Sequence, residues 1–318
     1  MTLTEGSALD PEVAVVRGML RAAGLHDFQT TAPIERARAG AASARIRFYP
    51  QVPVPVASID DREVPRPGGS IPVRIIRPLD ADLQADLEAD LEDADRGGVA
   101  PIVVYSHGGG FCLGDLDAHE AHARLIAARV GAIVVNVGYR LAPEHPFPAG
   151  LDDVVAVVRW VADNAPALGA DPARIAVAGD SAGGNLALAA ALECGVPVAA
   201  QLLFYPPTDL AAGPPGVVER WYVGDRVELL TDPRVSPVRA AALASAPPIV
   251  LATGAHDFLC DDNTAFAARL RALGVPHRAH VFPSLDHGFL SFVSVADACA
   301  RAADTVLADF RTLLRKCG

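Results

Sequence analysis

From residue 101 onward, short apolar runs alternate with segments of helical character, and no other feature of the chain restricts its fold so tightly. The runs lie at 102–105, 133–137, 175–178, 198–204, 249–253 and 279–282; the helical segments lie near 118–130, 151–164, 186–193, 263–273 and 296–314. Uninterrupted apolar strands are buried on both faces, and an intervening helix lets successive strands run parallel. The pattern predicts an α/β fold with a mostly parallel central sheet flanked by helices. Ligands of such sheets sit outside the carboxyl ends of the strands, so chemistry is sought on that rim.

The first hundred residues read differently. Asp10 as N-cap, Pro11 at the first helical position and Glu12 in the first turn start a helix with Val13, Val16 and Leu20 on one face, and Gly24 ends it. Residues 33–55 look irregular, with an Arg- and Ala-rich piece of helical character. Runs at 59–64 and 71–77 joined through Pro67-Gly68-Gly69 predict a hairpin. Residues 80–97 then carry a four-residue acidic repeat, a low-complexity insertion whose leucines drift around a helix and hold no stripe. A second excursion, at 206–237 and rich in proline and glycine, interrupts the alternation between two core strands and is a candidate lid.

Charge and cysteine content narrow the function classes. The net charge of −11 arises largely from residues 80–95, which hold eight acids and no base. No basic cluster offers a counterion-release surface, so nucleic acid is not an expected partner. The amino terminus lacks the positive start and apolar run of a signal peptide, which makes a cytoplasmic location the default, and no apolar stretch is long enough to span a bilayer. Five widely spaced cysteines form no metal or disulfide pattern. A small-molecule substrate fits these facts; a homodimer is left open.

Within this frame, Gly179-Asp180-Ser181-Ala182-Gly183 stands between an apolar strand and a helix. A serine there occupies a tight turn that lifts its hydroxyl out of the sheet, and the following helix aims N–H groups at an anion beside it. A serine nucleophile needs a base and a group to orient that base. His287 follows the strand at 279–282 on the same rim, whereas His277 and His280 lie before or within that strand. Asp257 follows the strand at 249–253; Asp261 and Asp262 read as the capping start of the next helix, and Asp286 is too close to His287 in sequence to serve it. The resulting triad is Ser181, Asp257 and His287. His107-Gly108-Gly109-Gly110 after the strand at 102–105 supplies an oxyanion loop, with N–H donors assigned to Gly108, Gly109 and Ala182.

Four motifs together carry a family resemblance: His107-Gly108-Gly109-Gly110-Phe111, Tyr139 through Ala149, Gly179-Asp180-Ser181-Ala182-Gly183-Gly184 and His287-Gly288-Phe289. The chain resembles the hormone-sensitive lipase family of esterases, bacterial family IV, in its GDSAG branch. The resemblance implies a single α/β-hydrolase domain over 1–318, with a cap from about 1–45 and 206–236. It also implies hydrolysis of short-chain carboxylic esters through an acyl-enzyme, and no cofactor. It gives His107 a shaping role and places Arg140, Glu144 and Asp152 in structural hydrogen bonds beneath the site. The interval between Tyr205 and Ser236 is short for the family, which predicts a reduced cap and an open acyl pocket. Cys112 and Cys260 fall beside the expected site, which predicts sensitivity to thiol reagents. The same triad also suits an amide or N-acetyl hydrolase, and the same fold can serve as a ligand receptor, although receptors of this kind lack the triad histidine.

Overall fold

The computed structural model describes residues 7–25, 33–79 and 99–317. Among these, eight strands form one sheet: β1 (Ser58–Arg66), β2 (Gly69–Arg77), β3 (Ala100–Ser106), β4 (Ile133–Val137), β5 (Ala170–Asp180), β6 (Ala200–Phe204), β7 (Ile249–Gly254) and β8 (His277–Phe282). Their spatial order is β1-β2-β4-β3-β5-β6-β7-β8. The hairpin β1–β2 pairs antiparallel, β2 meets β4 antiparallel, and every later pairing is parallel. The expected mostly parallel sheet is therefore present. The acidic insertion at 80–97 lies outside the described residues.

Strand alternation divides the core into two layers. Ile102, Val104, Ile249 and Leu251 face one layer, with α4 (Ala149–Asn164), α5 (Ala182–Glu193) and α7 (Cys260–Leu273) packed over them. Val103, Tyr105, Val250 and Ala252 face the other, covered by α1 (Pro11–Ala22), α3 (Glu120–Val130) and α8 (Asp297–Lys316). Side chains alternate because the strand period is two, so one strand serves both layers. The Arg- and Ala-rich piece forms α2 (Ile34–Phe48). The segment after β6 holds one short helix, α6 (Val217–Val223), followed by 3-10 turns.

Local chemistry accounts for the ends of these elements. Asp10 caps α1, its carboxylate accepting from the N–H groups of Glu12 at 2.9 Å and Val13 at 3.3 Å. The start of α7 departs from expectation. The helix begins at Cys260 and has no side-chain cap. Asp262 instead turns to the segment after β6, accepting from the Thr208 N–H at 2.6 Å and its hydroxyl at 2.9 Å. A carboxylate inside the first turn is free to serve another element, which sequence position alone does not reveal.

Candidate active site

The chain turns sharply at Ser181, between β5 and α5. Ser181 has φ +52° and ψ −124°, a conformation that non-glycine residues adopt rarely. Its neighbours make the turn feasible because they lack side chains. A Cβ on Gly179 would lie 2.2 Å from the Gly183 carbonyl oxygen, and one on Gly183 would lie 2.0 Å from that of Ser106. The spacing of glycines around the serine thus reflects backbone crowding where β5, β3 and α5 converge.

The three residues chosen from sequence come together at this turn. Ser181 Oγ lies 3.0 Å from His287 Nε2, and His287 Nδ1 lies 2.9 Å from Asp257 Oδ2 and 3.0 Å from Oδ1. Asp257 is buried, and its Oδ1 also accepts the Leu259 N–H at 2.7 Å. His287 sits between the rings of Tyr205 and Phe258, at centroid distances of 4.9 and 4.5 Å. Its loop is fixed against β7: the N–H of His256 donates to the Leu285 carbonyl at 2.9 Å, and a Cβ on Gly254 would lie 2.2 Å from the same oxygen. His277 and His280 both lie within β8 and point elsewhere, His277 to the Val275 carbonyl and His280 to Asp309.

The glycine loop departs from the expected donor set. The Gly108 N–H is not available to a substrate, because it donates to Asp180 Oδ1 at 2.9 Å. The contact is close enough that a Cβ on Gly108 would lie 2.4 Å from Asp180 Oδ2. Gly109, Gly110 and Ala182 have N–H groups with no acceptor among the described residues, and Gly110 and Ala182 border the same cavity as Ser181. Of the three N–H groups expected from sequence, Gly109 and Ala182 thus remain available and Gly108 does not, while Gly110 joins them. Gly109, at φ +125°, and Gly110, at φ +58°, hold the backbone in the region that glycine tolerates.

Beneath the loop lies a polar network that sequence reading passed over. Asp180 Oδ1 accepts a second bond from the Tyr105 hydroxyl at 2.6 Å, and that hydroxyl meets His122 Nδ1 at 3.2 Å. Burial opposes the Asp180 charge, while His119, His122 and the Tyr105 hydroxyl favour it; the balance holds this carboxyl below its usual range. His107 stacks on Tyr139 at 4.4 Å and donates from Nδ1 to the Gly108 carbonyl at 2.8 Å, and Tyr139 donates to the His107 carbonyl at 2.8 Å. Burial, reinforced by His119, pushes His107 down to about 3. The ligand atoms of His119, His122 and Asp180 lie within 4.8 Å of one another. That spread exceeds the ~3.4 Å edges of a tetrahedral site with bonds of about 2.0–2.1 Å, and Asp180 already accepts two hydrogen bonds, so the group reads as a hydrogen-bond network.

The structural pairs also differ in one partner. Arg140 bonds Asp153, not Asp152, with Nε at 2.8 Å from Oδ2 and one terminal nitrogen at 2.8 Å from Oδ1. The turn of α4 buries Asp153 and leaves Asp152 facing solvent. Glu144 pairs with Arg38 of α2 through two bonds of 2.7 and 2.8 Å, which holds its carboxyl down at about 2.

A family model described as alpha/beta hydrolase fold matches residues 103–291. Esterase LipI of Mycobacterium tuberculosis is 38% identical over 292 residues, covering 85% of this chain and 87% of that protein. The chain belongs to the hormone-sensitive lipase family of α/β-hydrolases. Another relative in that organism, Carboxylesterase NlhH, is 42% identical over 236 residues, covering 67% of this chain and 74% of that one. The hyperthermophilic esterase of the archaeon Pyrobaculum calidifontis superposes with a TM-score of 0.81 at 30% identity, covering 96% of this chain and 99% of that one. Among the described residues, no helix of this family member is long and apolar enough to cross a membrane.

Proposed function

We propose that this chain hydrolyses short-chain carboxylic esters through an acyl-enzyme on Ser181. As a member of its family it is a carboxylic ester hydrolase. The observation that carries the assignment of residues is the continuous path from Ser181 Oγ to His287 Nε2 and from His287 Nδ1 to Asp257. Along it His287 takes the hydroxyl proton as Ser181 attacks the ester carbonyl, while Asp257 holds the imidazole tautomer and stabilises the imidazolium. Gly109, Gly110 and Ala182 donate to the oxyanion. His287 then protonates the leaving alcohol and activates the water that releases the acid.

A cavity of about 200 Å³ supports the short acyl chain. Its apolar walls include Phe111 and Phe258 and, from the segment read as a cap, Leu210, Val217 and Val218. Drug-sized sites commonly measure about 300–1,000 Å³, and this one is smaller. The small volume supports a short acyl chain, while the cleft stays partly open to solvent beneath the shortened cap.

Ser181→Ala tests the chemistry. Loss of the nucleophile lowers kcat by about 10⁴-fold or more, measured on p-nitrophenyl butyrate with the fold checked by circular dichroism. Retention of more than a few per cent of activity removes Ser181 from the mechanism. Chain length is tested separately on p-nitrophenyl esters of increasing length. The expectation is a fall in kcat/KM of roughly tenfold or more per methylene beyond about four carbons, and a flat profile opposes the short-chain reading.

A further inference from the structure

The amino-terminal helix α1 grips the loop that carries His287. The N–H of its N-cap, Asp10, donates to the Ser284 carbonyl at 2.8 Å, and the Glu12 carboxylate accepts the Asp297 N–H at 2.8 Å. Two turns on, Arg17 lies over the Phe292 ring, 4.9 Å from its centroid. From there Arg17 Nε donates to Asp286 Oδ2 at 2.6 Å, and a terminal nitrogen donates to the carbonyl oxygen of His287 itself. One side chain thus binds the backbone of the expected base and the carboxylate immediately before it. Arg17 and Asp286 are largely buried, with 26% and 14% of their side chains exposed, and Asp286 Oδ1 is buried without a partner among the described residues.

We propose that Arg17 is a positioning residue for the reaction, acting through the His287 loop. The inference rests on the reading of His287 as general base. Its logic is geometric and electrostatic. A fork-shaped guanidinium that bonds a carboxylate and a neighbouring carbonyl at once fixes the loop in one register. It also offsets a negative charge that the sequence places beside His287. Left uncompensated, Asp286 would favour the imidazolium, which has no lone pair on Nε2 to accept the Ser181 proton. The other charged and titratable groups around this region are Asp257 and Tyr205 against the His287 ring, and Asp10, Glu12, Tyr49 and Cys299 around Arg17 and Asp286. Among them Arg17 is the group that touches both Asp286 and His287.

The test compares Arg17→Met, Arg17→Lys, Arg17→Met with Asp286→Asn, and Asp10→Ala as a control that weakens α1 without touching Asp286 or His287. Steady-state kinetics on p-nitrophenyl butyrate give kcat, KM and the pH profile of kcat/KM, whose acid limb reports the base in the free enzyme. Arg17→Met lowers kcat on the order of tenfold, as expected for a small displacement of a reacting group, with KM nearly unchanged. It also moves the acid limb to higher pH, because the Asp286 charge then acts on His287 without its partner. Lysine brings the limb back while recovering only part of kcat, because one ammonium does not reproduce the fork. Adding Asp286→Asn to Arg17→Met also brings the limb back. The proposal is overturned if Arg17→Met keeps the parental kcat and acid limb, or if it loses thermal stability alone as Asp10→Ala does. It is equally overturned if the limb of Arg17→Met does not respond to Asp286→Asn. If Ser181→Ala stays active, the triad reading fails instead, and that variant is assayed alongside.

Discussion

The Asp180 carboxylate accepts the N–H of Gly108 at 2.9 Å, tying the residue before the expected nucleophile to the loop expected to hold the oxyanion. Two elements that meet across the substrate are therefore joined beneath it. The bond commits Gly108, and it sets the direction of the following amides at Gly109 and Gly110. Oxyanion donors gain their effect by being aimed before the reaction begins, so whatever fixes the loop contributes to the rate.

Replacing Asp180 tests that connection. Asp180→Ala leaves the buried Gly108 N–H and Tyr105 hydroxyl without their acceptor, and each loss costs about 1–3 kcal/mol. The expected outcome is a lower unfolding midpoint in urea together with a fall in kcat of about 10²-fold. Asp180→Asn retains one acceptor oxygen and falls between. A variant that loses stability but keeps kcat shows that the loop holds its aim without Asp180.

The parallel sheet and the hairpin were legible in the sequence because each rests on a local pattern, as does the set of Ser181, Asp257 and His287 that the fold brings within hydrogen-bond reach of one another. Apolar runs bounded by glycine and proline mark the strands, and the carboxyl rim then selects Asp257 and His287 among many acids and histidines. What stayed hidden depends on contacts between distant segments. Whether Arg140 meets Asp152 or Asp153 depends on how α4 is rotated against the sheet, and Gly108 is lost as a donor only because β5 carries Asp180 beside it. The grip of Arg17 on His287 spans 270 positions of sequence and has no local signature at either end. Asp180 did leave a trace: an acid at the end of a strand buried on both faces needs partners.

Glu219 is the acidic side chain among the cavity-lining residues, its Oε2 accepting the Gly216 N–H at 2.9 Å, and no Lys or Arg lines the cavity with it. A substrate whose acyl chain ends in a carboxylate meets like charge there. Such a half-ester is expected to have a kcat/KM about tenfold or more below that of the neutral ester of equal length, and Glu219→Gln is expected to narrow the gap. Equal rates on the two esters in the parent enzyme would show that Glu219 does not face the acyl chain.

Cys112 follows the oxyanion loop, yet its thiol is buried and pushed up to about 12 by that burial. The thiolate is the reactive form, so this cysteine is inert near neutral pH. Cys260 is more exposed, and burial raises its thiol as well. Iodoacetamide at about pH 7.5 is therefore expected to leave Cys112 unmodified and most esterase activity intact. Peptide mapping after labelling checks this, and rapid inactivation with an adduct on Cys112 would contradict the burial argument.

His107 makes the stability of the oxyanion loop depend on pH. It is 1% exposed, and burial holds it down at about 3, against about 6.5 for an accessible imidazole. Between those values the unfolded chain binds a proton that the folded chain does not. Stability from this residue is thus complete above about pH 6.5 and is lost as pH falls toward about 3, at no more than ~1.4 kcal/mol per pH unit. Carboxylates contribute their own acid sensitivity, so the contribution of His107 is read from a difference. In His107→Asn the amide can still donate to the Gly108 carbonyl but does not titrate. Urea unfolding of both proteins at about pH 7, 5 and 4 is expected to show the parent losing more stability than the variant as pH falls, by on the order of 2–3 kcal/mol at the lowest value. Parallel losses would show that His107 is not kept neutral by the fold.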